Sequence, residues 1–175
     1  MNALVRAQLV AITEVLDAAN ELGIEVWLRG GWAMDFFLGQ VTRAHEDVDW
    51  FVWHKDMTLI SGLLISRGWV DLAVHPLDQQ RDLLRDQVEI GFAPLARTDS
   101  GGLAVGGGPF EGEPYPKDMI GNAVVGELES ICCPIISPTA QIEIKRMMPV
   151  WVPGFRRRDK DIGDIARLEA ALRKP

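Results

Sequence analysis

The sequence predicts an α/β (α+β) chain in which helices and short strands alternate and two helices close the C-terminal part. Three observations carry that expectation. Apolar residues recur three and four apart in several windows, the period of an amphipathic helix. Apolar and polar residues alternate strictly in others, the period of a half-buried strand. Glycine and proline separate one kind of window from the other.

In order, residues 3–21 place Val5, Leu9, Ile12, Leu16 and Ala19 on one helical face, and Asn20 and Gly23 end the helix. Residues 25–28 are a short strand, broken by Gly30-Gly31, and residues 32–38 resume as a helix that stops at Gly39. The paired glycines therefore sit between a strand and a helix N-terminus, where unpaired N–H groups and the helix dipole favour an anion. Residues 47–53 alternate, with Val48, Trp50 and Val52 on one side and Asp47, Asp49, Phe51 and Trp53 on the other. Residues 55–67 read as a helix ended by Gly68, and residues 69–74 as a strand before the turn at His75-Pro76. Residues 81–85 and 87–93 are two strands joined by a tight turn near Asp86, and Gln87, Glu89 and Gly91 share one face of the second. Residues 98–122 concentrate glycine and proline and read as one long loop. Residues 127–133 are a last strand. Pro138 opens a helix at its first position that runs to Pro149. After a turn at Pro153-Gly154, residues 156–174 form a final helix striped by Ile162, Ile165, Leu168 and Leu172.

Composition narrows the function. With 175 residues, 47% hydrophobic and 25% charged, the chain can bury a core and suits one compact domain. No apolar run approaches the roughly 20 residues of a membrane span. Arg6, Glu14, Asp17 and Glu21 interrupt any leader-like core, so a cytoplasmic location is expected. A net charge of -7 disfavours nucleic acid as a partner and suits either a cationic small molecule or simply solubility. Cys132 and Cys133 are adjacent, without metal spacing, and read as two buried free thiols. His54 and His75 show no metal spacing either.

The chemistry gathers on one strand face. Asp47 and Asp49, two residues apart on a strand, project to the same side roughly 7 Å apart. Such a pair can bridge two Mg²⁺ ions, which phosphoryl and nucleotidyl transfer use to neutralise charge on phosphate oxygens. A third carboxylate from a neighbouring strand would complete the centre and take the proton of an attacking hydroxyl. Glu89, flanked by Val88 and Ile90, is the candidate.

The order strand, Gly-Gly, helix, Asp-x-Asp strand, acidic strand resembles the nucleotidyltransferase superfamily with the DNA polymerase β-like core. More closely, it is similar to the aminoglycoside 2''-adenylyltransferases and the lincosamide nucleotidyltransferases. Gly30-Gly31-Trp32-Ala33, Asp35, Leu38-Gly39, Thr42-Arg43 and His45-Glu46-Asp47-Val48-Asp49 carry the resemblance, with Val88-Glu89-Ile90 and Lys160-Asp161 further on. It implies a twisted mixed β-sheet flanked by helices, with residues 1–135 as the core and residues 136–175 as a helical segment packed on it. It implies ATP or another nucleoside triphosphate with Mg²⁺, Gly30 and Gly31 against the triphosphate, Asp47 and Asp49 on the metals, and Glu89 as third carboxylate. The expected reaction moves a nucleoside monophosphate, AMP foremost, to a hydroxyl of an aminoglycoside- or lincosamide-like small molecule, and pyrophosphate leaves. The alternatives are a protein or RNA acceptor, and a non-catalytic nucleotide-binding module.

Other residues carry two readings. Arg43 and His45 either contact phosphates or make structural hydrogen bonds that hold Asp47. Asp35 is expected to face outward and to brace the glycine loop or Arg43. Lys145 either reaches the triphosphate as a point charge or lies on a solvated helix face. Arg156, Arg157 and Arg158 are expected at a helix start, where cations sit unfavourably; they are either solvated there or held by a partner such as acidic loop residues or a phosphate. The acceptor is expected between the core and the C-terminal helices, near Asp99, Glu111, Glu113 and Asp118.

Overall fold

The computed structural model describes residues 2–121 and 124–173. Helix α1 (Ala3–Leu22) is capped by the Asn2 side chain, which accepts from Val5 N, and ends at Gly23 in the left-handed conformation. Strand β1 (Val26–Leu28), helix α2 (Gly30–Leu38), strand β2 (Val48–Trp53) and helix α3 (His54–Ser66) follow. Strands β3 (Val70–Asp71), β4 (Arg81–Arg85), β5 (Val88–Arg97) and β6 (Leu103–Val105) complete the main sheet. Strands β7 (Val125–Leu128) and β8 (Ile131–Pro134) form a separate hairpin, and helices α4 (Pro138–Trp151) and α5 (Asp159–Leu172) close the chain.

Among the described residues the sheet runs β1-β2-β5-β4-β3 and is mixed: β2 and β5 pair parallel and its other strand pairs are antiparallel. A parallel pair needs a long crossover, and α3 with β3 and β4 supplies it. Strand β5 is longer than the alternation of residues 87–93 predicts because β2 covers one edge while β4 and β6 share the other. On one face, Val48, Trp50, Val52, Ile90 and Phe92 are buried beside α1 and α3. That face is the core, and it leaves the opposite face of β2 and β5 for polar side chains.

The expected elements are present, with instructive differences. The strand expected at 69–74 keeps two paired residues at the sheet edge. Residues 98–122 are not one loop: β6 pairs with β5, and Tyr115 N donates to Leu103 O. The strand expected at 127–133 is a hairpin whose turn residues, Glu129 and Ser130, both have positive φ (49° and 64°). A two-residue turn with both φ positive matches the twist of its strands, and Glu-Ser lacks the usual Asn-Gly spelling. Helix α4 carries Pro149 in its last turn and continues to Trp151. Helix α5 starts at Asp159, so Arg156 and Arg157 lie before it, while Arg158 is its N-cap residue, at the expected helix end, with its charge paired to Asp161. Cys133 is buried, and burial pushes its thiol pKa up; Cys132, expected to be buried as well, is exposed because the two neighbours point to opposite sides of β8.

Candidate active site

The β2–β5 register sets the site. Val48 pairs with Ile90 and Asp49 with Gly91, so Asp49 and Glu89 share the face away from the core, and the alternation extends that face to Asp47. Gly91 is the floor of this row. A Cβ there would lie 3.1 Å from Asp49 Oδ1 and 3.0 Å from Asp82 Oδ1, so a larger residue would make both carboxylates shift. Asp82 reaches the same face through β4, where it pairs with Gly91. It is buried, its Oδ1 accepts from Gln80 Nε2 at 2.6 Å, and His75 Nε2 lies 3.8 Å from Oδ2.

Four carboxylates on one face repel one another. Burial raises the pKa of Glu89, and the charges of Asp82, Asp47 and Asp49 raise it further. Surrounding protein mass raises Asp47, then Asp49 does, while Lys160 and Arg29 pull it back down. Asp47 is nonetheless open to water, so screening weakens these effects there. The row is short of positive charge, which is the condition for recruiting a hard cation.

Helix α2 begins beside it. Arg29 N donates to Asp49 O at 2.9 Å, which ties the helix N-terminus to β2 at the acidic residue. No side chain caps this helix. Gly30 has φ +70°, and a Cβ there would lie 3.3 Å from Asp49 Oδ2. The first residue of α2 thus meets Asp49 with no side chain of its own between them, an arrangement that suits phosphate oxygens bridged to metal.

Arg43 and His45 do not line this cleft. Arg43 Nε and Nη2 donate to Asp164 at 3.1 and 2.8 Å. His45 is buried, with Nε2 2.6 Å from Asp35 Oδ2, Nδ1 3.1 Å from Arg43, and its ring 4.7 Å from that of Trp32. Asp35, expected to face outward, is fully buried, because its carboxylate is the shared acceptor of His45 and of Thr42 Oγ1. Gly31 is required here for a second reason: a Cβ on it would collide with the His45 ring and lie 2.6 Å from Arg43 Nη2. These side chains brace the segment that leads into Asp47.

A cleft of about 260 Å³ runs from Gly30 and Asp49 to the C-terminal helices. Lys145 lines it, with Nζ 3.0 Å from Asp164 and 3.6 Å from Asp161. Arg158 lines it too and makes a two-point pair with Asp161. Arg29 lies 4.6 Å over the Phe51 ring, and Tyr115 meets Phe51 edge-on at 5.1 Å. Asp99, Glu111, Glu113 and Asp118 are exposed and none lines the cleft; Tyr115 is the residue of that segment that does. Asp82, Arg29, Tyr115 and Gln141 escaped the sequence reading. Only Arg29, next to Gly30, had a local cue; the rest depend on strand register and helix packing.

Among the described residues, no group of three His, Cys, Asp or Glu side chains is placed so that together they could hold a metal ion. The donor set still fits Mg²⁺, which takes one or two protein carboxylates and fills its remaining positions with water and substrate phosphate.

A family model described as aminoglycoside-2''-adenylyltransferase matches residues 11–168. A 2''-aminoglycoside nucleotidyltransferase of Klebsiella pneumoniae is 48% identical over 42 residues, 24% of this chain and 24% of that one, so the matched stretch spans about a quarter of the relative. The crystal structure of ANT(2'')-Ia in complex with adenylyl-2''-tobramycin superposes with a TM-score of 0.75 at 22% identity, over 95% of this chain and 90% of that one. The lincomycin-bound lincosamide antibiotic adenylyltransferase LnuA gives 0.70 at 20% identity, over 90% and 94%. At these identities the two structures establish a shared nucleotidyltransferase fold.

Proposed function

The chain belongs to the aminoglycoside-2''-adenylyltransferase family, and from that premise we propose that it transfers AMP from ATP to a hydroxyl of an aminoglycoside-like antibiotic. The observation that carries the reading is the row Asp47, Asp49 and Glu89 on one sheet face, set against the uncapped N-terminus of α2. Gly30 and Gly31 receive the triphosphate, and Lys145 and Arg158 stand across the cleft as its cationic side. Asp47, Asp49 and Glu89 would hold Mg²⁺, which when bound supplies Lewis-acid neutralisation of charge on the phosphate oxygens. Glu89 accepts the proton of the acceptor hydroxyl. The hydroxyl oxygen forms a bond to the α-phosphorus, the bond from that phosphorus to the bridging oxygen breaks, and pyrophosphate leaves. The acidic flank of Glu89 and Asp82 suits a cationic aminosugar. The need for ATP agrees with a cytoplasmic location, and among the described residues no helix is long and apolar enough to cross a membrane.

Pyrophosphate release with ATP, Mg²⁺ and a panel of aminoglycosides and lincosamides tests this. Release is expected with an aminoglycoside, and Asp49→Asn should abolish it while leaving the circular dichroism spectrum and melting temperature unchanged. A folded, triphosphate-binding protein that releases none with any acceptor on the panel would sink the small-molecule reading. Labelled nucleotide appearing on protein or RNA instead would move the acceptor to that class.

A further inference from the structure

Next to the cleft on the sheet face, outside its lining, lie the carboxylates of Glu89 and Asp82. The cleft's lining includes the apolar and aromatic side chains Phe51, Tyr115, Ile144, Met148 and Phe155. Of the polar side chains among them, Lys145 and Arg158 are paired with carboxylates, and Gln141 is not. Gln141 is 2% exposed, and its Nε2 donates to Ile136 O at 3.0 Å. That bond fixes the amide, because the reversed orientation would set one carbonyl oxygen against another. Gln141 Oε1 is then left buried with no hydrogen-bond partner in the protein.

A buried amide oxygen without a donor is costly, and native folds keep few of them. This one belongs to a residue lining a cleft whose other end is built for phosphates. Aromatic faces beside a phosphate site suit a planar base, which stacks on them. The orphaned oxygen accepts and cannot donate. It therefore selects a group that offers N–H or O–H at that depth.

We propose that Gln141 reads the base of the bound triphosphate: its Oε1 accepts a hydrogen bond from the exocyclic amino group of adenine while the aromatic side chains cover the ring. This rests on the triphosphate reading given above and extends it to the choice of base. The acidic flank is thereby left to the acceptor.

Titration calorimetry with Mg²⁺ present, on the intact chain, separates the ideas without needing an acceptor. The probes are ATP, purine riboside triphosphate (which lacks only the amino group) and 2'-deoxyATP. Loss of the amino group should weaken binding to the wild-type protein about tenfold, the worth of one hydrogen bond made in a buried site. Gln141→Leu should bind ATP and the purine analogue alike. Gln141→Glu keeps an acceptor and should keep the preference even where absolute affinity falls. Equal binding of the two nucleotides by the wild-type protein would overturn the assignment, as would a preference that survives in Gln141→Leu. A Gln141-dependent loss with 2'-deoxyATP alone would overturn base reading in favour of a sugar contact. Binding of none of the three would remove the proposed function itself, and this assignment with it.

Discussion

Glu89, the proposed third carboxylate, shows what a carboxylate row costs a fold. Its pKa is raised by burial and by three neighbouring carboxylates. A carboxyl whose folded pKa lies above its unfolded value of about 4.3 binds protons more readily in the native state. Its penalty is absent below the unfolded value, grows as pH rises between the two, and is complete above the folded one. Glu89→Gln removes that penalty. In metal-free protein the variant should therefore unfold at higher urea than wild type at pH 8, with the gap closing toward pH 4. Turnover should fall by about 10²–10⁴-fold, the usual loss on removing a general base. Equal urea midpoints at pH 8 would mean that the carboxylate row is better compensated than its geometry indicates.

At the scale of elements, Asp164 holds α5 to the rest of the fold. It is fully buried, takes two bonds from Arg43 and one from Lys145, and so links α5, α4 and the segment before β2. Burial alone would raise its pKa, but the bond from Arg43 and the charge and bond of Lys145 outweigh this and hold it below the usual value. Its contribution is thus present above the unfolded pKa of about 3.9 and lost as pH falls through the folded one. Asp164→Asn leaves two cations facing each other and should cost about 3–5 kcal/mol, the range for breaking a buried pair. Hydrogen exchange should quicken in α5 before the sheet, and the KM for ATP should rise as Lys145 loses the nearer of its two carboxylate partners and keeps only Asp161. Uniform exchange across α5 and the sheet would refute the link. This network also marks where the sequence stopped being legible. Asp47, Asp49 and Gly30-Gly31 could be read because their relation is local: alternation on one strand and a break before one helix. Glu89 could be read once its strand was. Asp164 meets Arg43 across 121 positions, and Asp82 meets Asp49 only through the β4–β5–β2 register. No periodicity encodes either meeting. Neither the Glu129-Ser130 turn nor the burial of Asp35 follows from local propensity; strand pairing dictates the first and the partners Thr42 and His45 the second.

At the scale of the molecule, the cleft belongs to no single segment. Arg29, Gly30 and Asp49 come from the sheet side, and Gln141, Lys145 and Arg158 from residues after 136. Helices α4 and α5 pack on α2, the helix whose first residue, Gly30, lines the cleft. We infer that residues 136–175 are not an independent domain but one wall of the site, so that folding and ligand binding are coupled across the whole chain. Thermal unfolding should then be a single cooperative transition. A ligand that binds only the folded chain adds about 2.7 kcal/mol when present at 100 times its Kd. For a chain of this size that raises the midpoint by about 5–10 °C. Scanning calorimetry with ATP and Mg²⁺ should show the one transition move by that amount, and chelation of the metal should remove most of the shift. Two transitions, of which ATP and Mg²⁺ move only one, would make the C-terminal helices a separate unit and leave the nucleotide to the sheet alone.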